Sequence, residues 1–334
     1  MTNLTRENTK KIFLEILTGK KRENDIREIL VELHKKGETS SEIAGAMESM
    51  REIALKVSVD PEFRDQIFDN CGTGGDQSGT FNISTTSAFV LAGGGIYVAK
   101  HGNRGITSSS GSADVLEYLG FRLDLSPMQH AILLQNSGFT FMFAGEHYSA
   151  LKKIMPIRKS IPHRTIFNIL GPLSNPAGVK KQLIGIFSAD FHNSVIDAMQ
   201  ILNMERVAIV TGELENSKYI DEVSISGVSK YKLLANNKIS EHEINPEIFG
   251  FKIVPVQAIA GGNAKENSET LISILNGTER GSKRDIVLLN SALAFIAFGS
   301  ARDIFDGIEM AKESINSGKA FERFKLSLDI SKKI

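Results

Sequence analysis

Tryptophan is absent from this chain of 334 residues, and cysteine occurs once, at Cys71. A lone thiol excludes an internal disulfide framework and points to a reducing compartment. Neither sign of charge is in excess: 39 Lys and Arg are matched by 39 Asp and Glu. That balance argues against binding DNA or RNA by bulk charge, which needs a basic face or stripe. Long apolar runs are missing too. Segments such as Ala88–Ala92 and Val287–Leu289 are far too short to span a bilayer. The opening MTNLTRENTKKIFLEIL lacks the apolar stretch of a secretory leader. The expectation is a cytoplasmic protein that meets neither nucleic acid nor membrane, long enough for more than one domain.

Residues 1–65 carry helical periodicity only. Ile12, Phe13, Ile16 and Leu17 share one face, as do Ile26, Ile29, Leu30 and Leu33 in a second segment that stops at Gly37. Thr39 and Glu42 have capping-box spacing and open a third helix with Ile43, Ala46, Met47, Met50, Ile53 and Ala54 inward. Asp60-Pro61 marks the next boundary. So small a bundle has an apolar face to spare, which packs on the rest of the chain or on a second copy.

From Gln66 to the end the pattern alternates. Strands are expected at Gln66–Asn70, Gly95–Ala99, Phe139–Phe143, Leu183–Ser188, Val207–Thr211, Glu222–Ser226 and Lys230–Leu234. Helices are expected at Ile83–Leu91, Ser112–Leu119, Pro127–Ser137, Phe191–Leu202, Ser268–Leu275, Asp285–Phe298 and Ile304–Ser317. This is the pattern of an α/β fold with a mostly parallel central sheet, residues 66–334, behind a small helical domain. The strands flanking Asn236-Asn237 look like an antiparallel addition. Met155–Gly178, with four prolines, breaks the rhythm and reads as a hinge and a return near 152–178 into the helical domain.

Four clusters suit phosphate. Cys71-Gly72-Thr73-Gly74-Gly75-Asp76 follows a strand, and glycines let backbone N–H groups converge on an anion. A plain turn would need one or two glycines, not three in four positions. Neither a Walker loop nor a dinucleotide fingerprint fits it. Asn82, Ile83, Ser84 and Thr85 start a helix, where unpaired N–H groups attract anions and a hydroxyl can reach a metal. A simple N-cap explains one such residue, not the cluster. Lys100-His101-Gly102-Asn103-Arg104 lies at a strand's carboxyl edge, where open α/β sheets bind ligands. Thr107-Ser108-Ser109-Ser110-Gly111-Ser112 runs into another helix start, suited to a second phosphate, although a Ser run also suits a flexible loop. Asp221-Glu222 could hold Mg²⁺ beside phosphate oxygens, yet a solvated acidic pair is the plainer reading of two adjacent carboxylates. Arg158 and Arg164 flank the proline-rich segment; each suits a carboxylate or an ordinary surface ion pair.

Taken together, GTGGD at 72–76, FNIST at 81–85, KHGNR at 100–104, SGSADVLE at 110–117, RTIFNILGPLSNPA at 164–177, DE at 221–222, GGNA at 261–264 and RDIVLLNSALA at 284–294 resemble the anthranilate phosphoribosyltransferases over nearly the whole chain. The resemblance implies a nucleoside-phosphorylase-like fold and a homodimer through the helical domain. It implies transfer of phosphoribose from 5-phosphoribosyl 1-diphosphate (PRPP) to the anthranilate amine with Mg²⁺. By matching positions, it implies PRPP contacts at Gly72, Gly75, Asp76, Thr80, Asn82, Ile83, Ser84, Thr85, Lys100, His101, Gly102, Asn103, Arg104, Thr107, Ser108 and Ser112. Anthranilate would meet Gly72, Asn103 and Arg158, and the metal Ser84, Asp221 and Glu222. The chain departs from the family at Ile161-Pro162-His163, near the acceptor entrance, and at Gly105-Ile106-Thr107; neither removes an implied ligand. A nucleoside phosphorylase of the same fold would need neither a metal pair nor a carboxylate clamp. A non-catalytic nucleic-acid-binding relative fits poorly with balanced charge.

Overall fold

The structure, a computed structural model, describes residues 2–105 and 109–334. Helices α1 (Arg6–Leu17), α2 (Glu23–Lys36) and α3 (Ser40–Ile53) come first. The capping box forms as its spacing predicts: Thr39 Oγ1 accepts the Glu42 N–H, and Glu42 Oε2 accepts the Thr39 N–H at 2.9 Å. Gly37, at φ +81°, ends α2. A short α4 (Pro61–Arg64) leads into β1 (Ile67–Gly72), α5 (Ile83–Gly93), β2 (Tyr97–Gly102), α6 (Ser112–Tyr118), α7 (Pro127–Ser137) and β3 (Phe139–Phe143). Three short helices follow, α8 (Ala144–His147), α9 (Leu151–Lys159) and α10 (Phe167–Leu173). Then come β4 (Lys181–Gly185), α11 (His192–Ile201), β5 (Arg206–Glu213), β6 (Tyr219–Ile220), β7 (Ser229–Ala235) and β8 (Lys238–Ile244). The chain closes with α12 (Ala264–Leu275), α13 (Ser282–Phe298), α14 (Ile304–Asn316) and α15 (Lys319–Lys333).

One sheet runs β3-β2-β1-β4-β5-β7-β8, with β6 beside β5. β1 to β5 are parallel, and β6, β7 and β8 are antiparallel additions. The hairpin between β7 and β8 turns on Asn236 and Asn237, both left-handed at φ +51° and +59°, as a two-residue primed turn requires. The chain winds outward from β1 to β3, then returns to β4 on the other side of β1. The winding therefore reverses between β1 and β4, and a crevice opens at their carboxyl ends.

Side chains alternate to the two faces. Phe68, Val98, Leu183, Ala208 and Val210 face a core shared with α5 and α13–α15. Ile184, Ile186, Val207 and Ile209 face a second core built with α1–α3, α9, α10 and α11. The spare apolar face of the N-terminal helices is thus spent inside the chain. On the same side the buried Asp69 carboxylate accepts from Asn175 Nδ2 at 2.9 Å, Gln182 Nε2 at 3.0 Å and the His101 N–H at 3.2 Å. Those bonds tie the loop after α10 to the sheet.

One expected strand does not form. Glu222–Ser226 is not a strand, because its backbone bonds to side chains: the Val223 N–H to Asn290 Oδ1 and the Ser224 N–H to Ser229 Oγ, each at 2.8 Å. Pro156 and Pro172 of the proline-rich segment sit inside α9 and α10. Helix α15 was not anticipated; its charged residues mask the apolar spacing of Ala320, Phe324 and Leu328.

Two histidines sit in contact in the interior. His130 and His147 are both buried, their Nε2 atoms 3.4 Å apart, with His130 Nδ1 on Thr140 Oγ1 and His147 Nδ1 on the Leu55 carbonyl. Burial first, and His147 second, push His130 down to about 3. Burial also lowers His147, against the Leu55 carbonyl and Glu146, which favour its charged form. The folded state therefore binds fewer protons than the unfolded chain between about 3 and 6.5, and stability is lost as pH falls through that window. Buried carboxylates act in the opposite sense, so the comparison is with His130→Asn. Relative to that variant, wild type should lose about 1 kcal/mol per pH unit in urea melts between about pH 6 and 4. A pH-independent difference would contradict the neutral pair.

Candidate active site

The loop leaving β1 is built for an anion. Gly74, Gly75, Gln77 and Gly79 all take left-handed φ, between +58° and +73°, which curls the backbone over the crevice. The Thr73 N–H bonds to the Gly185 carbonyl at 2.9 Å and Thr73 Oγ1 accepts the Phe187 N–H at 3.2 Å, so β4 fixes the loop's root. Thr80 bridges to Ala260 and fixes its end.

Helix α5 points its N-terminus into the same crevice. Asn82 precedes it, but its side chain does not cap. Asn82 Oδ1 accepts from Asn267 Nδ2 at 2.9 Å, and its Nδ2 donates to the Ser110 carbonyl at 3.3 Å. Asn267 in turn accepts the Gly262 N–H at 2.8 Å, and Ser109 Oγ donates to the Gly262 carbonyl at 2.6 Å. The GGNA turn and α12 therefore brace both hydroxyl-rich loops. Thr85 Oγ1 and Asn70 Oδ1 are buried here without a partner among the described residues. Unpaired buried oxygens are costly, and a ligand or water would relieve them.

Lys100, 1 % exposed, lies beneath the floor of the crevice: its Nζ donates to the Asn70 carbonyl at 2.5 Å and to Ser84 Oγ at 3.2 Å. Above it stand three carboxylates. Asp221 Oδ2 accepts the Gly74 N–H at 2.6 Å, and the Asp221 N–H lies 3.4 Å from Asp76 Oδ2. Burial first and Asp76 second push Asp221 up to about 7. Burial first and Asp221 second push Glu222 well above the ordinary range, although Lys100 and the Ser84 N–H favour its charge. Carboxyl groups that resist ionising without a further cation are thus gathered where phosphate is expected, with Lys100 and Arg164 nearby. Among the described residues, no three acidic, imidazole or thiol groups converge as a complete metal cage. A hard divalent ion with one or two carboxylates, a hydroxyl and phosphate oxygens fits that arrangement; an all-protein site does not.

Other implied residues are placed differently. The His101 imidazole turns into the interior beside the Tyr148 ring, with burial pushing it down to about 3. It offers the crevice backbone only. The Arg104 guanidinium is held by Asp114 at 3.0 Å and Glu117 at 2.6 Å. Asp114 also accepts the Gly105 and Gly111 N–H groups, so a carboxylate already occupies the start of α6 beside Ser112. Gly102 packs under the Phe141 ring, and the Asn103 carbonyl accepts the Ala113 N–H while its side chain is exposed. Thr107 and Ser108 lie outside the described residues.

Two arginines lie on the excursion, and the described contacts bring one of them, Arg164, to the glycine loop. Arg164 stacks on the Phe187 ring at 3.6 Å and donates to the Gly75 carbonyl at 2.5 Å. Arg158 packs over Phe167 at 5.3 Å, and among the described residues its guanidinium makes one hydrogen bond, a long contact to the Met155 sulfur at 3.7 Å. Burial lowers its pKa, and no carboxylate of the described residues is among its partners. It suits a carboxylate brought by a ligand. Motif reading gave no role to Asn267, nor to Asn290, although the latter lies within RDIVLLNSALA. Their partners are 185 and 67 residues away in sequence, so no local pattern marks them.

The chain matches the glycosyl transferase family, a/b domain, over residues 64–321. It is 44% identical over 329 residues to the anthranilate phosphoribosyltransferase of Bacillus cereus (strain AH820), covering 98% of this chain and 94% of that one. Its structure resembles that of anthranilate phosphoribosyltransferase from Thermus thermophilus, with a TM-score of 0.90 and 32% identity over 99% and 97% of the two chains. It also resembles the Saccharomyces cerevisiae enzyme in complex with PRPP and Mg, with a TM-score of 0.87 and 26% identity over 99% and 94%.

Proposed function

This chain belongs to the anthranilate phosphoribosyltransferase family, and from that premise we propose how its own residues move phosphoribose from PRPP to the amine of anthranilate. The products are N-(5-phosphoribosyl)anthranilate and pyrophosphate, on the way to tryptophan. The observation that carries the assignment of roles is the crevice between β1 and β4. There a left-handed glycine loop, the start of α5 and a group of carboxylates meet.

PRPP would lie across Gly72, Gly75, Asp76, Thr80, Asn82, Ile83, Ser84 and Thr85, with its second phosphate toward Asn103, Thr107, Ser108 and Ser112. Lys100 acts from beneath, holding Ser84 and lending positive charge. Arg104 would have to leave Asp114 and Glu117 to take part. Ser84, Asp221 and Glu222 would hold Mg²⁺, with Asp76 beside them. When bound, the ion offsets the charge that grows on pyrophosphate as the C1–O bond breaks. The chain adds backbone N–H groups aimed at the same charge. Arg158 would hold the anthranilate carboxylate, with Gly72 and Asn103 against the ring, so that the amine faces C1. An aromatic amine is neutral near pH 7, so its lone pair attacks without a strong general base. That agrees with a crevice whose one histidine side chain is turned away.

The domain division proposed is 1–65 with a return near 152–178, against 66–334. Closure about 66–69 and 152–180 would keep water from PRPP. A homodimer through α1–α3 rests on the family resemblance alone, since these helices already pack on α9, α10 and α11; sedimentation of the purified chain tests it. No helix among the described residues is long and apolar enough to cross a membrane. Cytoplasmic placement rests further on the single thiol. The transfer itself is tested by offering two substrate pairs. PRPP with anthranilate and Mg²⁺ should release pyrophosphate, and a nucleoside with phosphate should release no free base. The reverse pattern would make the chain a phosphorylase.

A further inference from the structure

The structure assigns to Asn290 the task of positioning the carboxylate pair Asp221-Glu222. Helix α13 is buried from Ile286 to Ala297, and Asn290, 1 % exposed, is the one carboxamide in that stretch. A buried amide is costly unless its groups are bonded. Here all are used. Oδ1 accepts the Val223 N–H at 2.8 Å, while Nδ2 donates to the Val223 carbonyl at 2.9 Å and to the Ile286 carbonyl at 2.9 Å. One side chain thus gives Val223 the two bonds that a neighbouring strand would give.

The other side of this segment is bare by sequence. Gly72 and Gly185 are register partners on β1 and β4, and Gly212 lies on β5. A β-carbon at Gly185 would run into the Asp221 carbonyl oxygen, and one at Gly212 would lie 2.6 Å from the Glu222 carbonyl oxygen. Residues 221–223 are therefore pressed onto a glycine seat and clamped from α13. In a regular strand, adjacent side chains point to opposite faces. Held this way, Asp221 reaches the Gly74 N–H and Glu222 the Ser84 N–H, both in the crevice.

The inference rests on the proposal that this pair holds the metal. It is tested with Mn²⁺ as the probe, its binding read by electron paramagnetic resonance in the presence of pyrophosphate. Asn290→Ala should keep the wild-type circular dichroism and bind Mn²⁺ about 10–100-fold more weakly, as loss of a residue supporting metal ligands does. A merely structural asparagine would lower the melting temperature and leave the Mn²⁺ Kd unchanged; that result overturns the inference. Wild-type protein that binds no Mn²⁺ overturns the metal reading and the inference with it. Where the alanine variant does not fold, amide exchange in wild type decides. The Val223 N–H should exchange slowly, and several-fold more slowly with Mg²⁺ and pyrophosphate. An exchange rate indifferent to both overturns the clamp.

Discussion

Asp221→Asn should give a protein that is more stable without metal and nearly inactive with it. Asp221 is held up to about 7 by burial and then by Asp76, against the Gly74 N–H and its own backbone N–H, which favour its charge. A group whose pKa is raised on folding stabilises most below its unfolded value, near 3.8, and that contribution is lost as pH rises through about 7. The neutral amide keeps an oxygen for Gly74 and removes the repulsion. Metal-free Asp221→Asn should therefore exceed wild type by about 1–3 kcal/mol near pH 8 and by much less near pH 5. The same change removes a ligand for the ion that offsets pyrophosphate charge, so kcat/KM should fall about 10²–10³-fold. Urea melts in EDTA at the two pH values, with rates at saturating Mg²⁺, check both halves. A variant that is less stable at the higher pH, or that keeps its rate, would mean that Asp221 is a structural acid.

Arg158→Ala should raise the anthranilate KM about 10–100-fold and move the PRPP KM less than about twofold, as loss of a charge-assisted bond to the acceptor alone would do. The guanidinium has aromatic and sulfur neighbours and no carboxylate among its partners, so its removal should cost little stability. Arg158→Lys should restore little, because an ammonium cannot make the two parallel bonds of a guanidinium. Arg164 is the control. Its bond to the Gly75 carbonyl joins it to the glycine loop proposed to hold PRPP, so Arg164→Ala should act on the PRPP KM. Equal changes in both KM values for Arg158→Ala would contradict its role, and the reverse split would exchange the two arginines.

Local chemistry made much of this legible in the sequence. Gly72–Asp76 and the start of α5 at Ile83 announce themselves because three glycines and a hydroxyl cluster have few other uses. The Thr39–Glu42 box and the Asn236-Asn237 turn are equally local, and both form. What failed was whatever depended on distant partners. Val223–Ser226 has strand composition, yet its backbone is claimed by Asn290 and Ser229. His101 and Arg104 sit in a motif expected to bind phosphate, yet one side chain is buried beside Tyr148 and the other is engaged by Asp114 and Glu117. Lys100 is the intermediate case. Its motif placed it at a strand's carboxyl edge, but only the fold shows its Nζ bonded to Ser84 from below.

The most direct test of the account follows the fluorescence of anthranilate with this protein, PRPP and Mg²⁺, with and without EDTA. The account predicts a PRPP-dependent loss of signal that EDTA abolishes and added Mg²⁺ restores. Folded protein that leaves the signal unchanged with every divalent ion, or that consumes anthranilate equally well in EDTA, would contradict it.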